Sequence, residues 1–173
     1  MVTTDERTAV VDAGPLIHLN ELGCLDLLAD LSPVIAPDVV WGEARKHRPC
    51  LTTSWIPGLK VVPMALAPSA RLAVLVDSLG LDIGETEALA LAEKYGLRMF
   101  LTDDSAARLA AESLGLRAHG TIGIVLRSIR RGLRSRREVL DILASIHERS
   151  TLHLAKGLLA EVVAKVTQFD REV

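Results

Sequence analysis

Short apolar runs alternate along the chain with longer stretches in which Leu, Ile, Val and Ala return every third or fourth position. Thr8-Ala9-Val10-Val11 is β-prone and ends on Asp12. Gly14-Pro15 then puts a proline where the first turn of a helix does not need its N–H, so a strand runs directly into a helix. Residues 16–31 carry apolar side chains at helical spacing, as two short helices divided near Gly23, and Pro33-Val34-Ile35-Ala36-Pro37 returns to strand. Residues 38–45 read as another helix. Between His47 and Pro68 the pattern weakens, because Pro49, Pro57, Pro63 and Pro68 interrupt any long element; Lys60-Val61-Val62 remains as a short edge strand. Regular order returns at Asp82, with a helix over residues 84–95 that closes on Gly96 and a strand over 98–102. A helix over 105–114 closed by Gly115, a strand over 116–118 and a helix from Gly120-Thr121 to Ile129 follow. Two amphipathic helices, over residues 135–147 and 151–167, complete the chain.

Strands that alternate with helices predict an α/β fold of three layers, α/β/α, with a central parallel sheet and right-handed crossovers. The expectation is one domain over residues 1–173, with its core over about 8–132 and extra C-terminal helices over about 135–168. In such sheets ligands bind beyond the carboxyl ends of the strands. Asp12 and the pair Asp103-Asp104 fall there.

Composition narrows the picture. With 173 residues, 49% hydrophobic, the chain can bury one good core, and with only 3% aromatic residues that core must be aliphatic. Aromatic platforms for stacking single-stranded nucleic acid are correspondingly scarce. A net charge of −2 excludes a uniformly basic protein and leaves the local distribution to decide. Cys24 and Cys50 lack the spacing of a zinc site or redox pair and read as free buried thiols in a reducing compartment. Residues 1–7 are polar, the following apolar run is too short for a signal peptide, and no stretch is long and charge-free enough to span a bilayer. The expected location is cytoplasmic, with no membrane partner.

The candidate chemistry is acidic. Asp12, Glu43, Glu85 and Asp104 fall at strand ends, helix starts or within predicted helices. Singly each admits a plain structural role: Asp12 as a polar strand terminus, Asp103 or Asp104 as a helix cap, Asp82 with Glu85 as a capping box, Glu43 as a solvated helix residue. Jointly they say more, because carboxylates at the carboxyl edge of neighbouring parallel strands converge and repel unless a cation neutralises them. An oxygen-only set without His or Cys suits Mg²⁺ or Mn²⁺ rather than Zn²⁺. Such ions support phosphodiester hydrolysis by activating a water and stabilising the charge that develops.

The residues that carry a family likeness are Val10-Val11-Asp12-Ala13-Gly14-Pro15-Leu16-Ile17, Pro37-Asp38-Val39-Val40-Trp41-Gly42-Glu43 and Gly84-Glu85-Thr86-Glu87-Ala88-Leu89-Ala90-Leu91-Ala92. Leu101-Thr102-Asp103-Asp104 to Arg108, Leu114-Gly115 and Gly120-Thr121-Ile122-Gly123 continue the series. In this order, over about residues 8–132, the chain resembles the PIN-domain superfamily, especially the branch close to prokaryotic VapC-type toxins. The resemblance implies a divalent-metal-dependent endoribonuclease that leaves a 5′-phosphate and a 3′-hydroxyl and is inhibited by a cognate antitoxin protein; a homodimer is frequent in the family. By position Asp12, Glu43, Glu85 and Asp104 are similar to the family's first, second, third and fourth acids, and Asp103 competes for the last place. Glu85 and Glu87, two apart on a helix, point to nearly opposite faces, so Glu87 falls outside the primary ligands, beside them or at the surface. Thr102 and Arg108 are further candidates, the one to orient a water and the other to hold a carboxylate or phosphate.

Arg127, Arg130, Arg131, Arg134, Arg136 and Arg137 form the one dense positive stretch. It admits two readings: contact with RNA phosphates, with Arg127, Arg130, Arg131 and Arg134 as candidates, or a solvated helix end and turn around Gly132 with Ser135 and Glu138 as a capping box. His18, His47, His119, His147 and His153 show no metal-ligand spacing; His18 lies six residues after Asp12 on the following helix and is within reach of the cleft. The apolar face of the last helix either covers the core or meets a partner. The rival function is an inactive PIN-fold interaction protein, or a nuclease on another nucleic acid.

Overall fold

The computed structural model describes residues 8–63 and 67–168; the polar stretch at residues 1–7 lies outside them. Five strands, β1 (Ala9–Val11), β2 (Val34–Pro37), β3 (Leu59–Val62), β4 (Met99–Leu101) and β5 (Arg117–His119), form one sheet in the order β3-β2-β1-β4-β5. Every pairing is parallel, and Val10 stands opposite Ile35 on one side and Phe100 on the other. The three inner strands are buried along their whole length, which is why they read as unbroken apolar runs rather than alternating ones, while β3 and β5 are half exposed at the edges.

Helices flank the sheet, giving the expected three layers. On one side α1 (Ala13–Leu22) packs against α6 (Thr121–Arg130) and the short α8 (Ile146–Arg149), and α6 against α7 (Arg136–Ala144). On the other, α3 (Ala70–Leu79) packs against both α4 (Ile83–Tyr95) and α5 (Ser105–Ser113). The helix after β2, α2 (Asp38–His47), touches α1 and α4. The core is aliphatic except for Phe100, with Leu16, Leu19, Leu28, Leu89 and Leu91 fully buried around it. Among the described residues no helix is long and apolar enough to cross a membrane.

Local signals set most boundaries. After α1, Gly23 turns left-handed at φ 68° and a 3₁₀ stretch, Leu25–Leu31, takes the chain to β2. The repeated Gly-Leu-Arg closes α4 and α5 in the same way. Gly96 at φ 60° and Gly115 at φ 81° need no Cβ there, and the next amide reaches back to the last turn, Leu97 N–H to Ala92 O at 2.9 Å and Leu116 N–H to Ala111 O at 2.9 Å.

Four expectations need correction. Order does not wait for Asp82: α3 starts at Ala70, where the Ser69 hydroxyl oxygen accepts the Leu72 amide at 3.1 Å. The helix expected over 135–147 turns at Ser145, so that α7 and α8 are separate. The last helix, α9 (Lys156–Gln168), begins five residues later than Thr151, because the Thr151 amide and hydroxyl are taken by the Glu21 carboxylate at 2.7 and 2.9 Å and hold residues 150–155 out of the helix. Both cysteines are free, but only Cys24 is buried; Cys50, beside Pro49 in the loop after α2, is exposed.

Candidate functional site

The sheet winds one way from β1 through β2 to β3 and the other way from β4 to β5, so the carboxyl ends of β1 and β4 adjoin where the winding reverses. Asp12 follows β1, and its backbone amide donates to Leu101 O at 2.8 Å, fixing the strand ends together. Gly14, opening α1, lets Asp103 close in: a Cβ there would stand 3.4 Å from Asp103 Cβ. Thr102, fully buried, donates its hydroxyl hydrogen to Asp12 Oδ2 at 3.2 Å and accepts the Asp104 amide at 3.1 Å. Only 8% of Asp12 is exposed. Burial pushes its carboxyl up to about 6, against the Ala13 amide and Thr102 hydroxyl that favour the charge, and Asp82 and Glu43 push further upward.

Glu43 and Glu85 come from α2 and the start of α4. Gly84, buried between the two helices, allows their approach: a Cβ there would lie 3.3 Å from both Val40 Cγ2 and Asp82 Oδ1 and 3.6 Å from Glu43 Oε2. Asp82 and Glu85 form the capping box expected, with Glu85 N–H donating to Asp82 Oδ1 at 2.8 Å and Asp82 N–H to Glu85 Oε2 at 2.9 Å. Burial pushes the Glu85 carboxyl up to about 7; the Asp82 amide opposes this, and the charges of Asp82, Asp104 and Asp12 reinforce it. Asp12 thus lies in the field of Glu43, and Glu85 in the fields of Asp12 and Asp104.

Asp103 and Asp104 have different surroundings. Asp104 lies in the field of Glu85 and caps α5, its Oδ1 accepting the Ala107 amide at 2.8 Å. Asp103 turns toward α6, where Oδ1 accepts the Thr121 amide at 2.7 Å and Oδ2 accepts the Thr121 hydroxyl at 2.6 Å and His18 Nδ1–H at 2.7 Å. Gly120 is required here, because a Cβ would stand 2.7 Å from Asp103 Oδ1. Arg108 donates to backbone oxygens, Nη1 to Ala118 O at 3.1 Å and Nη2 to Thr102 O at 3.2 Å, and so braces the end of β4 against β5. Glu87 stands apart from the acidic set; its carboxyl is pushed up by burial and then by Asp38.

Of the four candidate RNA-contact arginines, three are held by the 3₁₀ stretch. Arg127 and Arg131 each donate through Nε to Asp30 at 2.6 Å, and Arg134 Nη2 donates to Asp26 at 2.7 and 2.8 Å. Arg130 is exposed and has no ion-pair partner among the described residues. Ser135 and Glu138 form the expected capping box.

As they stand, no three His, Cys, Asp or Glu side chains among the described residues are grouped closely enough to hold one metal ion. Two of the acids have an oxygen engaged in helix capping, and like charges favour separation. The donor chemistry nevertheless fits a hard cation: each of the four groups is a carboxylate, and Asp12 and Glu85, both pushed up, would be relieved by positive charge. Asp82 is the member missing from the sequence-derived set. Its three-residue spacing to Glu85 accounted for it fully as a cap, while its charge acts on both Asp12 and Glu85.

No curated protein and no solved structure matches the chain. A family profile described as a PIN domain matches residues 8–168, taking in the sheet, the acidic edge and the C-terminal helices. By that match, and with the parallel α/β/α architecture of a nuclease-type fold, the chain belongs to the PIN-domain family.

Proposed function

We propose that this protein is a divalent-metal-dependent endoribonuclease that hydrolyses RNA phosphodiester bonds at the acidic edge of the sheet, and that it acts as the toxin of a toxin–antitoxin pair. The observation that supports the nuclease reading is the position of Asp12 at the point where the sheet reverses, with burial and the charge of Glu43 raising it and burial and the charges of Asp104 and Asp12 raising Glu85. These four residues would hold Mg²⁺ or Mn²⁺, which when bound supplies charge neutralisation and an activated water for in-line attack. The chain's own contribution is placement. Thr102 fixes the Asp12 carboxylate, Asp82 fixes the turn that presents Glu85, and Arg108 locks β4 to β5 beneath Asp104. The toxin assignment is supported by the ordered motif resemblance, and its partners are a cognate antitoxin protein and a second copy of the chain.

The test is cleavage of structured RNA by purified protein with Mg²⁺ or Mn²⁺, comparing wild type with Asp12→Asn and Glu85→Gln. Both variants should lose cleavage while remaining folded; activity that survives both changes removes the four-acid reading. Expression of the wild type should arrest growth and the product of an adjacent small open reading frame should relieve it. A wild type that cuts RNA without arresting growth keeps the nuclease and loses the toxin.

A further inference from the structure

Beside β5 lies a cavity of about 360 Å³, within the size range of small-molecule sites. Its apolar wall is Ile122 of α6 with Leu152, Leu154 and Leu158 from the segment that follows α8, and its polar groups are Arg108, His119 and His153. Asp103 and Gly120 also line it, so the cavity adjoins the sheet edge that carries Asp104.

The surroundings are cationic. Burial, and then the guanidinium groups of Arg127, Arg117, Arg108 and Arg130, hold His119 below its ordinary value, so four positive charges act on this wall. Arg127 is matched by Asp30, but Arg117 and Arg130 have no carboxylate partner among the described residues and Arg108 donates only to carbonyl oxygens. A neutral imidazole offers one donor and one acceptor. An apolar wall, a neutral hydrogen-bonding ring and the Arg108 guanidinium, with the Asp103 carboxylate on the same lining taken up by Thr121 and His18, together suit a ligand with a flat base and an anionic phosphate. Sequence-specific RNA recognition works on such splayed bases, through apolar contact and hydrogen bonds to base edges.

We propose that the cavity takes one nucleotide of the RNA substrate, its base against Ile122, Leu152 and Leu154 and its phosphate facing Arg108. The proposal rests on the nuclease reading and adds to it that the chain selects a base next to the bond it cuts. Much of that selection comes from Leu152, His153, Leu154 and Leu158, which lie beyond the sheet in sequence.

Gly123 lines the cavity, and a Cβ added there would meet only His119 Nδ1, at 3.9 Å, so Gly123→Leu fills the space without forcing the backbone. The experiment is NMR of the full chain without added metal, following the His119 and His153 ring signals during titration with each of the four ribonucleoside 5′-monophosphates and with inorganic phosphate. At least one nucleotide should move both rings, inorganic phosphate should move them much less, and Gly123→Leu should weaken the nucleotide about tenfold or more. Should Gly123→Leu fail to fold, Leu158→Asp, at a side chain half exposed, is expected to give the same loss. No response to any nucleotide, an equal response to inorganic phosphate, or unchanged nucleotide binding in the folded variant overturns the proposal. Cleavage plays no part in this readout: RNA left uncut by a wild type whose rings still respond would remove the nuclease reading alone.

Discussion

The Thr102 hydroxyl donates to Asp12 Oδ2 at 3.2 Å and ties the end of β4 to the end of β1. The Thr102 Oγ1 oxygen also accepts the Asp104 amide, so one side chain aligns two of the four acids. Thr102→Val keeps the shape and removes both bonds. The variant should be destabilised by about 1–2 kcal/mol, as expected for buried polar partners left unpaired. Because the hydroxyl favours the charged carboxylate, the Asp12 carboxyl should titrate above its wild-type value of about 6. Denaturant melts and carboxyl-carbon NMR check the two effects; an Asp12 titration unchanged in Thr102→Val would refute the link.

Stability should depend on pH through Asp12 in a defined direction. Its carboxyl ionises near 3.8 in the unfolded chain and at about 6 in the fold, so between those values the folded state binds more protons. The contribution is complete below about pH 4 and is lost as pH rises through 6, amounting to about 3 kcal/mol. Glu85, raised from 4.5 to about 7, acts in the same direction up to neutrality. In EDTA, Asp12→Asn should therefore match the wild type near pH 4 and exceed it in denaturant midpoint at pH 7.5. Mg²⁺ or Mn²⁺ should stabilise the wild type at pH 7.5 and do so less in the variant. A wild type that equals Asp12→Asn at both pH values defeats the prediction.

Asp82 separates capping from charge. Asp82→Asn retains a side-chain oxygen for the Glu85 amide and should melt close to wild type, whereas Asp82→Ala should lose about 1 kcal/mol. Both remove a negative charge that raises Glu85 and Asp12, so both carboxyls should titrate lower than in the wild type. Carboxyl NMR titration of the two variants decides this, and unaltered values in Asp82→Asn would confine Asp82 to the cap.

Two arginines one residue apart should behave differently. Arg130 is exposed and has no ion-pair partner among the described residues, so Arg130→Ala should leave stability unchanged and lower the salt dependence of RNA binding by about one counterion. Arg131 shares Asp30 with Arg127, and Asp30, although burial opposes its charge, is held below its ordinary value by both guanidiniums. Replacing Asp30 by Asn should reduce stability at pH 7, with the difference fading as pH falls through the depressed Asp30 value. Equal salt slopes for wild type and Arg130→Ala would take Arg130 out of the RNA path.

What the sequence made legible was local. The left-handed glycines at Gly23, Gly96 and Gly115 and the capping boxes at Asp82 and Ser135 involve residues only a few positions apart, and the buried inner strands announce themselves as apolar runs. The parts that escaped depend on distant partners. Thr151 has the character of a helix start until Glu21 takes its amide, and the arginines around Gly132 read as a free cationic patch until Asp26 and Asp30 meet them. Helix α3, by contrast, is legible in its own residues: Leu72, Leu75, Val76 and Leu79 recur at helical spacing and pack on the core, and Gly80 closes the helix. Asp12 and Asp104 could be read from their places after β1 and β4, but the approach of α2, with Glu43, to the start of α4 depends on Gly84 lying against Val40, a contact between helices that spacing does not encode.

The pairing of β1 with β4 also governs when the acidic edge can exist. One edge of β1 is satisfied early by β2, but the other stays open until Met99–Leu101 has been made and docked, after two intervening strands' worth of chain and four helices. Contacts of such long sequence separation close late, because chain entropy must be lost before they form. A growing polypeptide therefore presents Asp12, Glu43 and Glu85 without the strand that aligns Asp12 and without Asp104, and the full acidic edge arrives only with the cooperative completion of the sheet.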